Sequence, residues 1–348
     1  MDLAGILGTE FPLIQAPMAG VQDGRLALAV SAAGALGSLP AAMLAPPALR
    51  RELSLLRAQS ARPFNVNFFC HAAPREDRQR QSLWEQLLAP YYTEFGLQPS
   101  QPAAAPARLP FDEQAAQVLA ELPPRVVSFH FGLPPEPLLR QVRACGACIL
   151  ASATTLEEAL WLEARGVDAI IAQGSEAGGH RGMFLTGDVA SQLPTAALVP
   201  RLARAVRIPV IASGGIADAA AVAAAMRLGA AGVQVGSAYL LCPEATTSAV
   251  HRNALQGSAG ASTALTNLFT GRPARGIVNR LMRELGPLNS AVPDFPLAAN
   301  TLAPLRAHAE RLGSGDFSPL WAGENASRCR ALPAAEVTRE LLRAFADT

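Results

Sequence analysis

Ala169-Ile-Ile-Ala-Gln-Gly-Ser-Glu-Ala-Gly-Gly-His-Arg-Gly182 runs from a short apolar segment into a glycine-rich loop that carries a histidine. Ala169–Ala172 has the length and composition of a buried strand, and Gln173 is the first residue with hydrogen-bonding capacity where that run ends. Gly174, Gly178, Gly179 and Gly182 follow, and glycines at that density let backbone N–H groups approach a flat or anionic ligand closely. His180 sits among them and is of the type that titrates near neutrality. A surface loop with an incidental histidine competes with this reading. The same strand-then-glycine pattern recurs at Pro209-Val-Ile-Ala-Ser-Gly-Gly-Ile216 and Gly232-Val-Gln-Val-Gly-Ser237, and three such ends in one chain point to one shared ligand.

Working outward, five further strands precede these three. Phe11–Met18 opens with a short apolar strand bracketed by Pro12 and Pro17, which hold the turn after it extended and leave the backbone at Ala16, Pro17 and Met18 free to face a ligand. Ala35–Leu39, Phe64–Phe69, Val126–Gly132 and Cys148–Ser152 supply the others, with helical spacing at Gly24–Ala33, Arg50–Gln59 and from Thr155 to Arg165. Strand and helix thus alternate eight times before about residue 240, which predicts a (β/α)8 barrel with its active site on the loops after the strands. A doubly wound sheet is disfavoured because the glycine-rich ends cluster at the sixth to eighth strands, not after the first. Residues 1–240 are expected to form the barrel, with an irregular excursion at about 70–124 that holds a polar helix at Asp77–Leu88 and the proline- and alanine-rich Pro99–Pro110. No strand is expected after Cys242. Pro243–Leu255, Thr263–Leu268, Val278–Arg283 and Leu302–Leu312 read as helices, so 241–330 is expected to be a helical cap and 331–348 a helix returning to the barrel.

The chain has 348 residues, half of them hydrophobic, and a net charge of +1 with scattered basic residues, so it lacks the electrostatic footprint of a nucleic-acid binder. No apolar run reaches about 18 residues and the N-terminus has acidic Asp2 and Glu10, so neither a membrane span nor a signal peptide is expected and the reading is cytoplasmic. Every basic residue counted is arginine; the absence of lysine removes Schiff-base, pyridoxal phosphate and Walker-type chemistry. Five thinly spread cysteines argue against a disulfide framework, and Cys145-Gly-Ala-Cys148, without a second pair, reads as plain core or loop cysteines with no metal.

In such barrels the loops after the seventh and eighth strands hold phosphate, here Ser213, Gly214, Gly215, Gly236 and Ser237. Asn67, Gln173 and Gln234 bring three carboxamides to the mouth, which suits an uncharged heterocycle with donors and acceptors, such as a flavin ring; any one of them could instead simply cap a strand. His180 is the candidate catalytic residue, and His130, at the end of the fourth strand, a second donor to substrate. His71 reads equally well as a loop residue, and His251 and His308 as helix surface.

Gln15-Ala-Pro-Met18, Asn65-Val-Asn-Phe-Phe69, Ser152-Ala-Thr-Thr155, Gln173–Gly182, Ala212–Ile216 and Gln234–Ser237 together resemble the nitronate monooxygenases, formerly 2-nitropropane dioxygenases, over nearly the whole chain. Leu241–Ala245, Gly271–Gly276 and Pro319–Gly323 are similar to the class I branch. The resemblance implies an FMN-dependent barrel that uses dioxygen to oxidise alkyl nitronates, such as propionate 3-nitronate, to a carbonyl compound and nitrite without a nicotinamide. By motif, Asn67, Gln173, Gly178, Gly179, Gly215, Gln234, Gly236 and Ser237 would hold FMN and His180 would be catalytic, serving also as base if neutral nitroalkanes are used. Where some of the branch carry tyrosines and a lysine, this chain has Pro293–Asn300, in which Phe295, Leu297 and Ala299 cannot donate hydrogen bonds. The competing readings are an NAD(P)H-dependent flavin reductase of quinones or enoyl thioesters on the same barrel, a non-catalytic flavin-binding protein, and a phosphate-binding barrel without flavin.

Overall fold

The computed structural model describes residues 2–98 and 108–346, so the expectation for Pro99–Pro110 falls largely outside the described residues. In chain order its strands are β1 (Leu13–Gln15), β2 (Gly37–Pro40), β3 (Phe64–Phe69), β4 (Val126–His130), β5 (Cys148–Ala153), β6 (Ala169–Gln173), β7 (Gly179–His180), β8 (Val210–Ser213), β9 (Gly232–Val235), β10 (Thr263–Thr266) and β11 (Ala274–Ile277). Eight of them form one parallel sheet in the order β1-β9-β8-β6-β5-β4-β3-β2, and a parallel bridge between Ile14 and Leu36 brings its two ends together. The sheet is therefore a nearly closed (β/α)8 barrel, with β6, β8 and β9 as the three glycine-ended segments.

Strand alternation sorts the barrel into two surfaces. Phe68, Val127, Phe129, Ile149, Ile170 and Val233 face outward into the core shared with the helices, while Ile14, Leu36, Val126, Leu150, Ile171 and Ile211 face the axis. The helix Leu3–Leu7 crosses the lower end and inserts Leu3 and Leu7 into that axial cluster, closing the floor. Nearer the carboxyl ends the inward residues turn polar: Asn67, His130, Ser152, Gln173, Ser213 and Gln234 all reach the mouth. The barrel helices start where short polar side chains cap them, with Asp112, Thr155 and Asp218 each accepting from the backbone N–H three residues on.

Two strands, β10 and β11, stand after Cys242, where no strand was expected. Thr263–Leu268 begins as strand β10 and pairs antiparallel with β11, which in turn pairs with β7, so a three-stranded sheet stands where helix was expected. Thr263, Leu265 and Thr266 suit a pleated, half-buried surface, and the pairing partners lie too far along the chain for local periodicity to reveal them. The stretch read as an excursion contributes to this region too. The helix Arg78–Glu94 packs Trp84, Leu88, Tyr91 and Tyr92 into a second core with Leu268, Phe269, Leu302, Leu305 and Phe317, and Trp84 Nε1 donates to the Ala298 carbonyl at 3.3 Å. A further helix in that stretch, Glu113–Glu121, belongs to the barrel core. No helix among the described residues is long and apolar enough to cross a membrane.

Candidate active site

The residues expected from the sequence to hold cofactor or substrate line one cavity at the barrel mouth: Ala16, Pro17, Met18, Asn67, His130, Gln173, Gly178, Gly179, His180, Ser213, Gly214, Gly215, Gln234, Gly236 and Ser237. Phe69, Arg108, Ser152, Glu176, Trp321 and Asn325 complete much of its wall. Among the described residues no group of histidine, cysteine or acidic side chains could hold a metal ion, and all five cysteines are free.

The turn after β1 is fixed by a buried amide pair. Gln15 Nε2 donates to Gln22 Oε1 at 2.7 Å, Gln22 Oε1 also accepts from Met18 N at 3.0 Å, and Gln15 Oε1 accepts from Ser38 N at 3.0 Å. Ala16, Pro17 and Met18 are thereby presented to the cavity as a rigid edge.

The Gly-Gly-His loop is held from both sides. Gln173 Nε2 donates to the His180 carbonyl at 3.0 Å and its Oε1 accepts from Gly182 N at 2.7 Å, closing the loop on the strand that launches it. From the cap, β11 pairs with Gly179 and His180, and Arg181 N donates to the Pro273 carbonyl at 2.8 Å. Arg181 is fully buried and its guanidinium reaches the carbonyls of Gly174 and Gln173 at 2.7 and 2.6 Å and Gln192 Oε1 at 3.0 Å. Gly178 is required by proximity, since a Cβ there would lie 2.5 Å from backbone atoms of Ala322 and Gly323. Arg181 belongs to the stretch quoted from the sequence, yet nothing in its spacing announces that its charge is spent on carbonyls inside the loop. Glu158, read as a first-turn residue, is also fully buried; besides Thr154 it accepts from the backbone N–H groups of Phe184 and Leu185, so it latches the far side of the same loop.

Two of the histidines play different parts. The His180 carbonyl can only accept, so His130 Nε2, 3.1 Å away, carries the proton, and His130 Nδ1 accepts from the Ser152 hydroxyl at 3.0 Å. Both ring nitrogens of His130 are engaged inside the protein and tie it to the loop, while the residue also lines the cavity. His180 Nε2 lies 2.9 Å from Thr270 Oγ1, which leaves Nδ1 beside the cavity without a partner among the described residues. Its ring packs among Phe295 and Trp321 at centroid separations of 5.3 and 5.4 Å. Burial, then the nearby charge of Arg108, push the His180 imidazole well below its ordinary range, so it is neutral at physiological pH. Burial likewise lowers His130 to about 3 and His71 to about 4. His71 is buried against Phe295 at 4.8 Å, in the wall behind His180. His251, expected on a helix surface, is buried instead, with burial lowering it to about 4; His308 is half-buried and stacks on Phe95.

The opposite side of the cavity is a backbone cradle. Gly214 and Gly215 adopt φ of 122° and 71°, conformations that exclude most side chains, and they turn the chain so that the ends of β8 and β9 line the same wall. Ser237 opens a short 3-10 helix and its hydroxyl accepts from Gly323 N at 2.9 Å. The one acid on the lining, Glu176, has its carboxylate tied to Thr195 N and Oγ1 at 2.8 and 2.9 Å. Of the three carboxamides, Gln173 is committed to the loop and Asn67 donates to Ser128 Oγ at 3.0 Å, whereas Gln234 Oε1 is buried without a partner among the described residues. A buried orphan acceptor costs about 1–3 kcal/mol, and a ligand N–H at the mouth would remove that cost. A flat heterocycle with N–H and carbonyl edges joined to a phosphate fits this donor set.

The profile of the family described as Nitronate monooxygenase matches residues 2–344. A Nitronate monooxygenase of Pseudomonas aeruginosa is 42% identical over 345 residues, covering 97% of both chains, and one of Paraburkholderia phytofirmans is 40% identical over 98% of this chain and 94% of its own. The solved structure of nitroalkane oxidase from Streptomyces ansochromogenes matches with a TM-score of 0.89 at 36% identity, covering 99% of this chain and 98% of that one. FabK from Thermotoga maritima is more distant, with a TM-score of 0.71 at 25% identity over 99% of this chain and 96% of its own.

Proposed function

The chain belongs to the nitronate monooxygenase family of oxidoreductases, and from that premise we propose that it binds FMN at the barrel mouth and oxidises alkyl nitronates with dioxygen to a carbonyl compound and nitrite. The observation that carries this reading is His180: a neutral imidazole with a free Nδ1, its backbone fixed from both barrel and cap, across a cavity from a glycine cradle and the unpartnered Gln234 Oε1. Bound FMN would accept electrons from the substrate and pass them on to dioxygen. Gly214, Gly215, Gly236 and Ser237 would hold its phosphate, Asn67 and Gln234 its ring edge, and Ala16, Pro17 and Met18 one side of the ring. Gln173 would act one step removed, keeping Gly178, Gly179 and His180 in register.

A nitronate arrives as an electron-rich anion, so the protein has to hold it and exclude water more than activate it. Neutral His180 does this as a hydrogen-bond donor, and Phe69, Phe295 and Trp321 make the surrounding wall apolar. A neutral nitroalkane makes a further demand, because its α-carbon must first lose a proton. His180 is in the unprotonated form this requires, although burial that lowers its basicity limits the driving force.

The purified protein should carry a flavin, released on heating as FMN, that bleaches on anaerobic addition of a nitronate. His180→Asn should retain the flavin and lose kcat/KM toward a nitronate by roughly 10- to 150-fold, the worth of one charge-assisted hydrogen bond of ~1.5–3 kcal/mol. Toward the matching neutral nitroalkane, where a base is also lost, the fall should be greater by a further ~10²–10⁴. Unaltered kcat/KM for both substrates at full flavin content would remove His180 from the mechanism. A wild-type flavin that bleaches with NADH and is inert to nitronates would replace the reading with a reductase.

A further inference from the structure

Arg108 lines the cavity that holds His180 and Trp321, three residues before Phe111, whose backbone N–H is anchored to the Phe69 carbonyl at 2.8 Å. Its guanidinium has no hydrogen bond and no ion pair among the described residues. The other arginines around the site are all committed. Arg181 is spent on the loop carbonyls, Arg272 lies 4.0 Å over the Phe131 ring and reaches the Met183 carbonyl, and Arg275 pairs with Glu324 at 3.0 Å and with the Ser175 carbonyl at 2.8 Å. Burial lowers the Arg108 pKa with nothing to offset it, and the like charge of Arg306 adds to the effect. A half-buried guanidinium that faces a cavity without a counter-charge is a ready partner for a ligand anion.

The neighbourhood limits which anion. Glu176, the one acid on the described lining, is tied to Thr195 by the loop after β6. Phe295 packs 5.3 Å from the His180 ring; with no lysine in the chain, no second free cation faces the cavity among the described residues. Arg108 and His180 line the same cavity, and Arg108 is the strongest charge acting on that imidazole, so a small molecule whose near end meets His180 shares its cavity with this guanidinium.

We infer that Arg108 is the specificity-determining residue of the site: it pairs, fork to fork, with a carboxylate at the tail of the nitronate, so that the preferred substrates carry two anionic groups, one at His180 and one at Arg108. This rests on the nitronate-oxidising reading. A guanidinium presents two parallel N–H donors to a carboxylate and keeps its charge even when burial lowers its pKa, which suits it to a half-buried anion better than an ammonium.

The test compares propionate 3-nitronate with uncharged propyl-1-nitronate in holoenzyme of wild type, Arg108→Gln and Arg108→Lys. The ratio of kcat/KM for the two substrates should collapse by ~30- to 1,000-fold in Arg108→Gln, mostly through KM, and recover in part in Arg108→Lys, which keeps the charge and loses the fork. An unchanged ratio, with both substrates falling together or neither falling, would overturn the inference. Binding of succinate against butyrate, followed by calorimetry on the same proteins, separates this from the underlying function. If wild type oxidises neither nitronate yet prefers succinate in an Arg108-dependent way, the catalytic reading fails and the anion site stands. If wild type shows no preference for succinate, the inference fails whatever the turnover.

Discussion

The floor and the mouth of the barrel are built from the same strands and differ in what those strands turn toward the axis. At the floor, Ile14, Leu36, Val126, Leu150, Ile171 and Ile211 meet Leu3 and Leu7 in an apolar plug. At the mouth, two to four residues further along, β4, β5, β6 and β8 present His130, Ser152, Gln173 and Ser213, and β3 and β9 add Asn67 and Gln234. Floor packing repays burial with transfer free energy, about 1.5–3 kcal/mol for each large side chain fully buried, and requires no partner in particular. The mouth gathers groups that are costly to bury, and they persist because each is tied to a partner or waits for one. Stability resides in the floor and chemistry in the mouth, and the two should respond differently to perturbation.

Acid should produce the largest divergence. His71 and His251 are lowered to about 4, His130 to about 3 and His180 well below its ordinary range, all by burial first, and none of them lies in the floor cluster. Their unfolded counterparts titrate near 6.5, so below that pH the unfolded chain binds protons the folded one refuses. Stability therefore declines as pH drops from about 6.5 toward 4, by up to ~1.4 kcal/mol per pH unit for each imidazole. Denaturant unfolding at stepped pH should show a slope that flattens in His251→Gln. A slope that this variant leaves unaltered would mean that the carboxylates alone govern acid unfolding.

Next comes a cavity in the floor. Leu150 is fully buried in the axial cluster and does not line the ligand cavity, so Leu150→Ala should cost about 2–5 kcal/mol. The whole pH–stability curve should drop with its slope retained, and the folded fraction should keep wild-type flavin affinity and kcat/KM. A loss of activity beyond the loss of folded protein would show floor and mouth to be coupled.

The floor was the more legible end in the sequence. Apolar strand-length runs and helical spacing between them are local signals, and they recovered the eight barrel strands in order. Glycine is legible for a related reason, since a turn at φ of 71° or 122° tolerates little else, and so the cradle at Gly214 and Gly215 could be read directly. What escaped was set by distant pairings. Strand β10 became a strand by pairing with β11, and β11 in turn binds a two-residue segment nearly a hundred residues earlier. Glu158 was hidden by a sequence position that suits a helix start equally well, and His251 by a helix face whose burial comes from the cap. Arg108 lies in a proline- and alanine-rich stretch that offers no period, and only the lack of a partner among the described residues marks it.

The smallest effect is the sharpest test of the contrast, because its sign differs between protein and complex. Gln234 Oε1 is buried and unpartnered on a strand whose neighbours Val233 and Val235 are packed in the core, so in the ligand-free protein the carboxamide pays its desolvation for nothing. Replacing it with a side chain of similar volume and no polar atoms removes that cost: Gln234→Leu should leave the apoprotein as stable as wild type or more stable by up to ~1 kcal/mol. In the holoprotein the same change would delete the acceptor proposed for the flavin ring edge and should weaken flavin binding by ~1–2 kcal/mol, about 5- to 30-fold in Kd. Thermal unfolding of both forms with and without FMN measures the two quantities in one experiment. An apoprotein destabilised as severely as Leu150→Ala would mean that Gln234 belongs to the packing of the barrel, and the boundary between floor and mouth would have to be drawn above it.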